Sequence, residues 1–592
     1  MTADRSGPAF SVDHIPFSTH GSWFGISPVV AEKTYAEDLH LVSHQNGMHA
    51  VLRLVPLDPA TGDRAETQVE ATPGLLTWTG ADGRVDLAYE TPDTVRLRGA
   101  GLPLRISAAA GTLTPFSGTY FYRDPVDGAH TFTSYETGRR YRITVLSGTV
   151  VEVSGSQALG AGDRGLTVTA ESDGSWEVAV EELDSARRPY RPSAAFGQVM
   201  EAARRSFAEF ADAVAPWRSD DTPAAELAAY VLWSATVRPA GLVTRPGVLM
   251  SKHWMDKVWS WDHCFNALAL APGCPELAWD QFHLPFDHQD ETGALPDSVT
   301  HSEVLYNFVK PPIHGWALGH LRARLTEPLD PAQLAQAYDR LTRWTDFWLT
   351  ARRAPGTVLP HYQHGNDSGW DNATTFDPGR LAVTADLTAT LILQLDELAR
   401  LAGELGFAED ARRRTETADV LQAALLDELW DGERFLSRPA HGGDLAPSAS
   451  LLDLMPIVLG DRLPAKVHDR LAERIEAHLT AYGLATEHPG SPHYESDGYW
   501  RGPIWAPATV LVEDGLRRAG HVRLADEISA RFRALCETSG FAENFDALTG
   551  EGLRDRAYTW TASSYLMLAR DHRQRRAEAG TAAAAAADTT AA

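Results

Sequence analysis

Cysteine is nearly absent: Cys264, Cys274 and Cys536 are the only three in 592 residues. They supply neither a disulfide framework nor the paired spacing of a cysteine zinc site, so packing has to hold the fold. Positive charge is scarce as well. Lys and Arg total 53 against 79 Asp and Glu, a net charge of −26. That balance excludes non-specific attraction to nucleic acid or to an anionic membrane surface. No apolar run reads as a membrane span, and Met1–Gly7 show neither the basic nor the apolar part of a secretory leader. These absences lead us to expect a cytoplasmic protein with no nucleic-acid or membrane partner, suited to a small neutral solute.

The chain is too long for one ordinary core, so several domains are expected. Residues 1–190 read as a strand-rich domain. His49–Val55, Tyr141–Leu146, Thr149–Val153 and Leu166–Thr169 alternate partly apolar with polar, and turn signals such as Asp82-Gly83 separate the runs. Short strands with regular turns predict an antiparallel β-sandwich. Residues 191–225 read as a helical linker. From 226 to 572 the period changes to 3.6: Leu334, Tyr338, Leu341 and Trp348 follow an Asp330-Pro331 start, and Leu387, Leu391, Leu395 and Leu398 make a second stripe. Helices arriving in pairs predict an α/α barrel, an α+β multidomain chain overall. The alanine-rich end, 573–592, reads as a disordered tail.

What the chain does have is tryptophan, 17 residues of it, gathered with carboxylates in loops of the helical half. Trp259, Trp261, Asp262 and Phe265 stand within one short stretch; indole faces suit the apolar face of a pyranose, while Asp262 can equally cap the helix that follows. Trp316, after Lys310-Pro311-Pro312, reads equally as a helix entrance. Asp367 and Asp371 flank Gly369 and Trp370, and by residue type either can serve as a proton donor beside an apolar wall. Tyr499, Trp500, Arg501 and Trp505 offer stacking and directed donors, with Arg501 placed to pair with a catalytic carboxylate. Glu543 lies in Phe541-Ala542-Glu543-Asn544-Phe545-Asp546. Two carboxylates in an aromatic pocket, one protonated and one ionised, are the equipment for cleaving a glycosidic bond. His361 and His364 lack a third ligand at suitable spacing, so no metal is expected. Near the start, His20–Gly25 is a candidate for contact with the pocket rim.

Taken in order, Trp261-Asp262, Ser368-Gly369-Trp370-Asp371-Asn372, Trp500-Arg501-Gly502-Pro503-Ile504-Trp505 and Glu543-Asn544-Phe545-Asp546 resemble the inverting glycoside hydrolases of family 63 and their relatives. These include α-glucosidases and the mannosylglycerate and glucosylglycerate hydrolases; trehalases of family 37 share the Ser-Gly-Trp-Asp element. The resemblance spans roughly residues 225–570. It implies an (α/α)6 barrel, Asp371 as general acid and Glu543 as general base. It also implies that Trp261, Asp262, Trp370, Trp500 and Arg501 line the sugar site, with no cofactor. Glycerate-releasing members typically carry Glu where Asp367 stands and Ser-Pro where Ala373-Thr374 stand. The expected substrate is therefore a neutral α-glucoside, with a glycerate glycoside or trehalose as alternatives and a non-catalytic sugar-binding protein as the alternative of another class.

Overall fold

Alternation with a period of two builds the first third of the chain. In the computed structural model, which describes residues 7–155, 158–171 and 174–591, the strands form two antiparallel sheets. One has six strands in the spatial order Phe24–Ala31, Thr34–Ser43, His49–Pro56, Leu104–Ala108, Gly165–Thr169 and Thr149–Ser154. The other has eight, in the order Thr119–Arg123, His130–Ser134, Arg140–Ser147, Ser175–Leu183, Thr94–Ala100, Gly83–Thr91, Leu75–Gly80 and Thr67–Thr72. Every second residue points inward. Leu52 and Leu54, Leu104 and Ile106, and Leu166 and Val168 of the first sheet share one buried cluster with Val85 and Leu87, Val95 and Leu97, and Val178 and Val180 of the second. The sandwich expected from the sequence is thus observed, and its core is the interface of the two sheets.

The α-helices of the described residues are α1 Phe196–Val214, α2 Ala225–Ala235, α3 Asp262–Leu270, α4 Pro275–His283, α5 His314–Arg324, α6 Pro331–Thr350, α7 Ala385–Glu404, α8 Ala408–Glu428, α9 Ala465–Ala477, α10 Ala506–Arg518, α11 Val522–Ser539 and α12 Thr559–Ala591. Short connections join α3 to α4, α7 to α8 and α10 to α11, so the helices come as hairpins. α6 begins with a full capping box: the Asp330 side chain accepts from the Ala332 and Gln333 amides, and Gln333 reaches back to the Asp330 amide. Proline follows at the first helical position, which freezes the start expected from the sequence.

The chain divides into two compact units, residues 1–213 with 229–257 and 300–303, and residues 214–228 with 258–299 and 304–592. Three sequence expectations differ from this picture. Within the first unit, Phe196 and Val199 of α1, expected in a linker, pack against Ala88 of the larger sheet. In the same unit Gly21 bridges to Val237, and the Trp23 indole N–H donates to the Arg238 carbonyl. Trp23 is fully buried there; the expected rim segment serves the packing of its own unit. In the second unit, α12 continues to Ala591, so most of the expected tail is helical. Alanine is the strongest helix former and loses no side-chain entropy, so the run extends a helix already nucleated by packed residues upstream. No helix of the described residues is long and apolar enough to cross a membrane.

Candidate active site

The sequence motifs of the helical unit converge through backbone and amide contacts. Gly369 has φ 72°, and a Cβ there would lie 2.5 Å from the Trp261 ring. Only glycine permits both the left-handed turn and the approach to the indole, and this joins the Asp371 loop to the start of α3. Asn372 then locks two loops together: its side-chain amide donates to the Gly498 carbonyl at 3.0 Å and accepts from the Trp500 amide at 3.0 Å. Ile504 and Phe545 exchange backbone hydrogen bonds of 2.7 and 3.0 Å, which sets the Glu543 segment beside the Trp500–Trp505 segment. The Glu543 amide donates to the Asp555 carbonyl at 2.7 Å.

An unbroken series of rings lines the result. Trp370 and Trp500 lie 4.6 Å apart, Trp500 stacks on Trp505 at 4.0 Å with planes 6° apart, Trp505 meets Trp560 edge-on at 5.4 Å, and Trp560 meets Trp261 at 5.8 Å. Phe265 and Trp316 extend it behind Trp261. Phe265 is fully buried, and the Trp316 indole N–H donates to Asp514 at 3.0 Å. Both were expected at the substrate, and both continue the aromatic series through Trp261. Tyr499 has φ 63° and packs against Trp505 at 5.0 Å. Arg554, also left-handed at φ 61°, lies over the Tyr499 ring at 5.0 Å. Two non-glycine residues held in this sparsely populated region and stacked on one another mark a strained, over-determined corner.

Four carboxylates share the interior. Asp262 is buried, with Oδ2 lacking a hydrogen-bond partner, and burial pushes its pKa up to about 8, against the pull of Lys310. Burial raises Asp371 too, again opposed by Lys310 and reinforced by Asp297. Glu543 is pushed up to about 8 by burial and then by Asp555, with Arg554 opposing and Asp371 adding to the rise. Lys310 is the counterion. Its ammonium lies 3.0 Å from Asp297, donates to the Asn366 carbonyl at 2.9 Å, and sits over the Trp259 ring at 5.2 Å. Burial alone would lower Lys310; Asp371, Asp297 and Asp262 outweigh it and raise the pKa.

Asp367 differs from its neighbour. It is buried, paired with Arg352 at 2.6 Å, and accepts from the Val309 and Gln363 amides at 3.1 and 2.8 Å. A carboxylate so saturated with donors anchors the loop. Arg501 does not pair with Asp371 or Glu543: it donates to the Asn372 carbonyl at 2.7 Å and binds Asp377. The pairing falls out this way because the guanidinium points back along the loop it closes. His314 is buried, pushed down to about 4 by that burial, and bonded to the Ser260 carbonyl at 3.0 Å, while His364 caps Asn366. Arg554 and Trp560 were not singled out by the sequence, and Asp297 and Lys310 stood in segments given no charge role. Lys310 stood in a Pro-Pro loop that reads as a helix entrance, and Arg554 carries no motif at all.

Comparison with known proteins finds relatives of the helical half. Residues 255–561 match the model described as the mannosylglycerate hydrolase MGH1-like glycoside hydrolase domain. The chain is 27% identical to a mannosylglycerate hydrolase of Rubrobacter radiotolerans over 424 residues, 55% of this chain and 92% of that protein. It is 23% identical to a glucosylglycerate hydrolase of Mycolicibacterium hassiacum over 448 residues, 58% and 97% of the two chains. Among solved structures, the family 63 mannosylglycerate hydrolase of Thermus thermophilus in complex with glucose is similar in fold, with a TM-score of 0.51 at 22% identity over 58% of this chain and 98% of that one. A bacterial glucoamylase complexed with acarbose reaches a TM-score of 0.61 at 12% identity, covering 95% of each chain.

Proposed function

This chain belongs to the mannosylglycerate hydrolase MGH1-like glycoside hydrolase family, and from that premise we propose that it hydrolyses a small α-linked glucoside with inversion, in a helical unit closed as an (α/α)6 barrel. Asp371 is the general acid and Glu543 the general base. The observation that carries this reading is that half-buried Asp371 and buried Glu543 are both raised, chiefly by burial, within one aromatic-walled site.

Burial favours a proton on Asp371, which is the state needed to protonate the glycosidic oxygen. Once that proton is in place, Asp371 no longer repels a charge on Glu543. Arg554 favours the ionised base, against burial and Asp555. Ionised Glu543 removes a proton from water attacking C1 on the face opposite the leaving group. Inversion requires room for that water, a carboxyl separation of about 6.5–9.5 Å. Asp262 and the aromatic wall built by Trp261, Trp370 and Trp500 hold the sugar.

A second reading, a glucosylglycerate or mannosylglycerate substrate, is favoured by the names of the relatives. Against it, Lys310 is committed to Asp297 and Arg554 to Asn544 and Asp497, which leaves both cations partnered before a glycerate carboxylate arrives. Proton NMR of the protein with α-glucosides, trehalose, glucosylglycerate and mannosylglycerate separates the readings. Early β-anomer from a neutral α-glucoside supports the first; release from the glycerate glycosides alone supports the second. Early α-anomer refutes inversion.

A further inference from the structure

Apart from the residues of the aromatic site, three ligand atoms meet where α9 begins and α10 turns into α11. His468 Nδ1 lies 3.1 Å from His521 Nε2 and 3.2 Å from Asp469 Oδ1, and His521 Nε2 lies 3.1 Å from the same oxygen. His468 and Asp469 sit at the start of α9; His521 is the residue immediately before α11. Both imidazoles are half-buried, while the aspartate is open to solvent.

Protons cannot satisfy this triangle. If one imidazole presents N–H and the other a lone pair, the lone pair faces the carboxylate oxygen. If both present N–H, the two hydrogens face each other. Every protonation state of the imidazoles leaves one edge repulsive. A cation at the centre satisfies all three atoms at once. The edges also have the right length: ligands at zinc distances of about 2.0–2.1 Å in a tetrahedron stand about 3.3 Å apart. An open groove of about 490 Å³, bordered by Glu473, Glu476 and Leu524, runs beside Asp469 and His521 and leaves space for water as the fourth ligand.

We propose that His468, Asp469 and His521 bind a divalent metal ion of the zinc class, tying the start of α9 to the α10–α11 turn. Two imidazoles and one carboxylate with an open position suit zinc and its neighbours rather than calcium or magnesium, which prefer all-oxygen sets. The sequence hides the site because its ligands lie on two elements more than fifty residues apart. None of the three residues belongs to the catalytic machinery proposed above, so the ion acts on stability.

The test uses the full chain freed of any affinity tag and treated with chelator. Titration with Co2+ is expected to give a ligand-field absorption saturating at one equivalent, bleached by Zn2+, with a rise in melting temperature on adding Zn2+. His468→Ala and His521→Ala are expected to weaken binding at least about 100-fold and to abolish the thermal shift, while glycoside cleavage is retained. His521→Gln serves the same purpose should the alanine variants misfold. Absence of a stoichiometric absorption, or binding that persists in the folded double variant, overturns the proposal.

Discussion

Gly369→Ala tests the joint on which the proposed site depends. The added Cβ meets three atoms of the Trp261 ring at 2.5, 2.7 and 3.1 Å, and the residue must keep φ near 72°. Holding alanine in the left-handed region costs about 1–2 kcal/mol. Trp261 is buried and cannot swing into solvent, so the overlap adds an overpacking cost of about 1–3 kcal/mol. The expected loss of stability is therefore about 2–5 kcal/mol. To restore an ordinary 3.4 Å contact, ring and loop must separate by roughly 0.9 Å, a displacement of the size that costs about 100-fold in rate when it moves positioned groups. Urea unfolding followed by tryptophan near-UV circular dichroism gives the stability, and sugar release on the best substrate gives kcat. Gly403→Ala is the control: it lies within α7, where a Cβ meets nothing within 4 Å, so the same change should be neutral or stabilising by up to about 1 kcal/mol. A Gly369→Ala protein with unchanged urea midpoint and a rate within about threefold of the parent refutes the argument that this glycine sets the Trp261–Asp371 geometry.

Lys310→Met removes the cation shared by Asp297, Asp371 and Asp262, and stranding buried carboxylates should cost about 3–5 kcal/mol at neutral pH. The loss should shrink at about pH 5, where protonation relieves the stranded charges; urea midpoints at the two pH values decide it. Asp262, raised to about 8, binds a proton in the folded state that the unfolded chain has released by about pH 5. Stability should therefore fall as pH rises from about 4 to 8, and Asp262→Asn should flatten the fall in thermal melts. Arg554→Met withdraws the charge that favours ionised Glu543, so the acid limb of kcat/KM should move to higher pH; an unmoved limb would contradict the base assignment. Asp371→Asn and Glu543→Gln should each reduce kcat at least about 100-fold with circular dichroism unchanged, and near-parental turnover in either would remove that residue from the mechanism.

Much of the architecture was legible because it follows from periodicity. The alternation at Leu52/Leu54 and Val178/Val180 can bury a face only as strands, and the Asp330-Pro331 start can only open a helix. The aromatic and acidic clusters were equally plain, since glycine, tryptophan and carboxylate packed into loops are chemically conspicuous. Local sequence could not say which carboxylate was free. Asp367 and Asp371 look alike four residues apart, and only the approach of Arg352 and the Val309 amide makes one an anchor and leaves the other raised. Lys310, Arg554 and the His468–Asp469–His521 triangle were invisible for the same reason. The sequence by itself determined the elements, their faces and the residue types available for chemistry, because these depend on neighbours within a few positions. The tertiary structure alone decided charge pairing, desolvation and hence protonation, because those depend on which distant groups share a few ångströms of dry space.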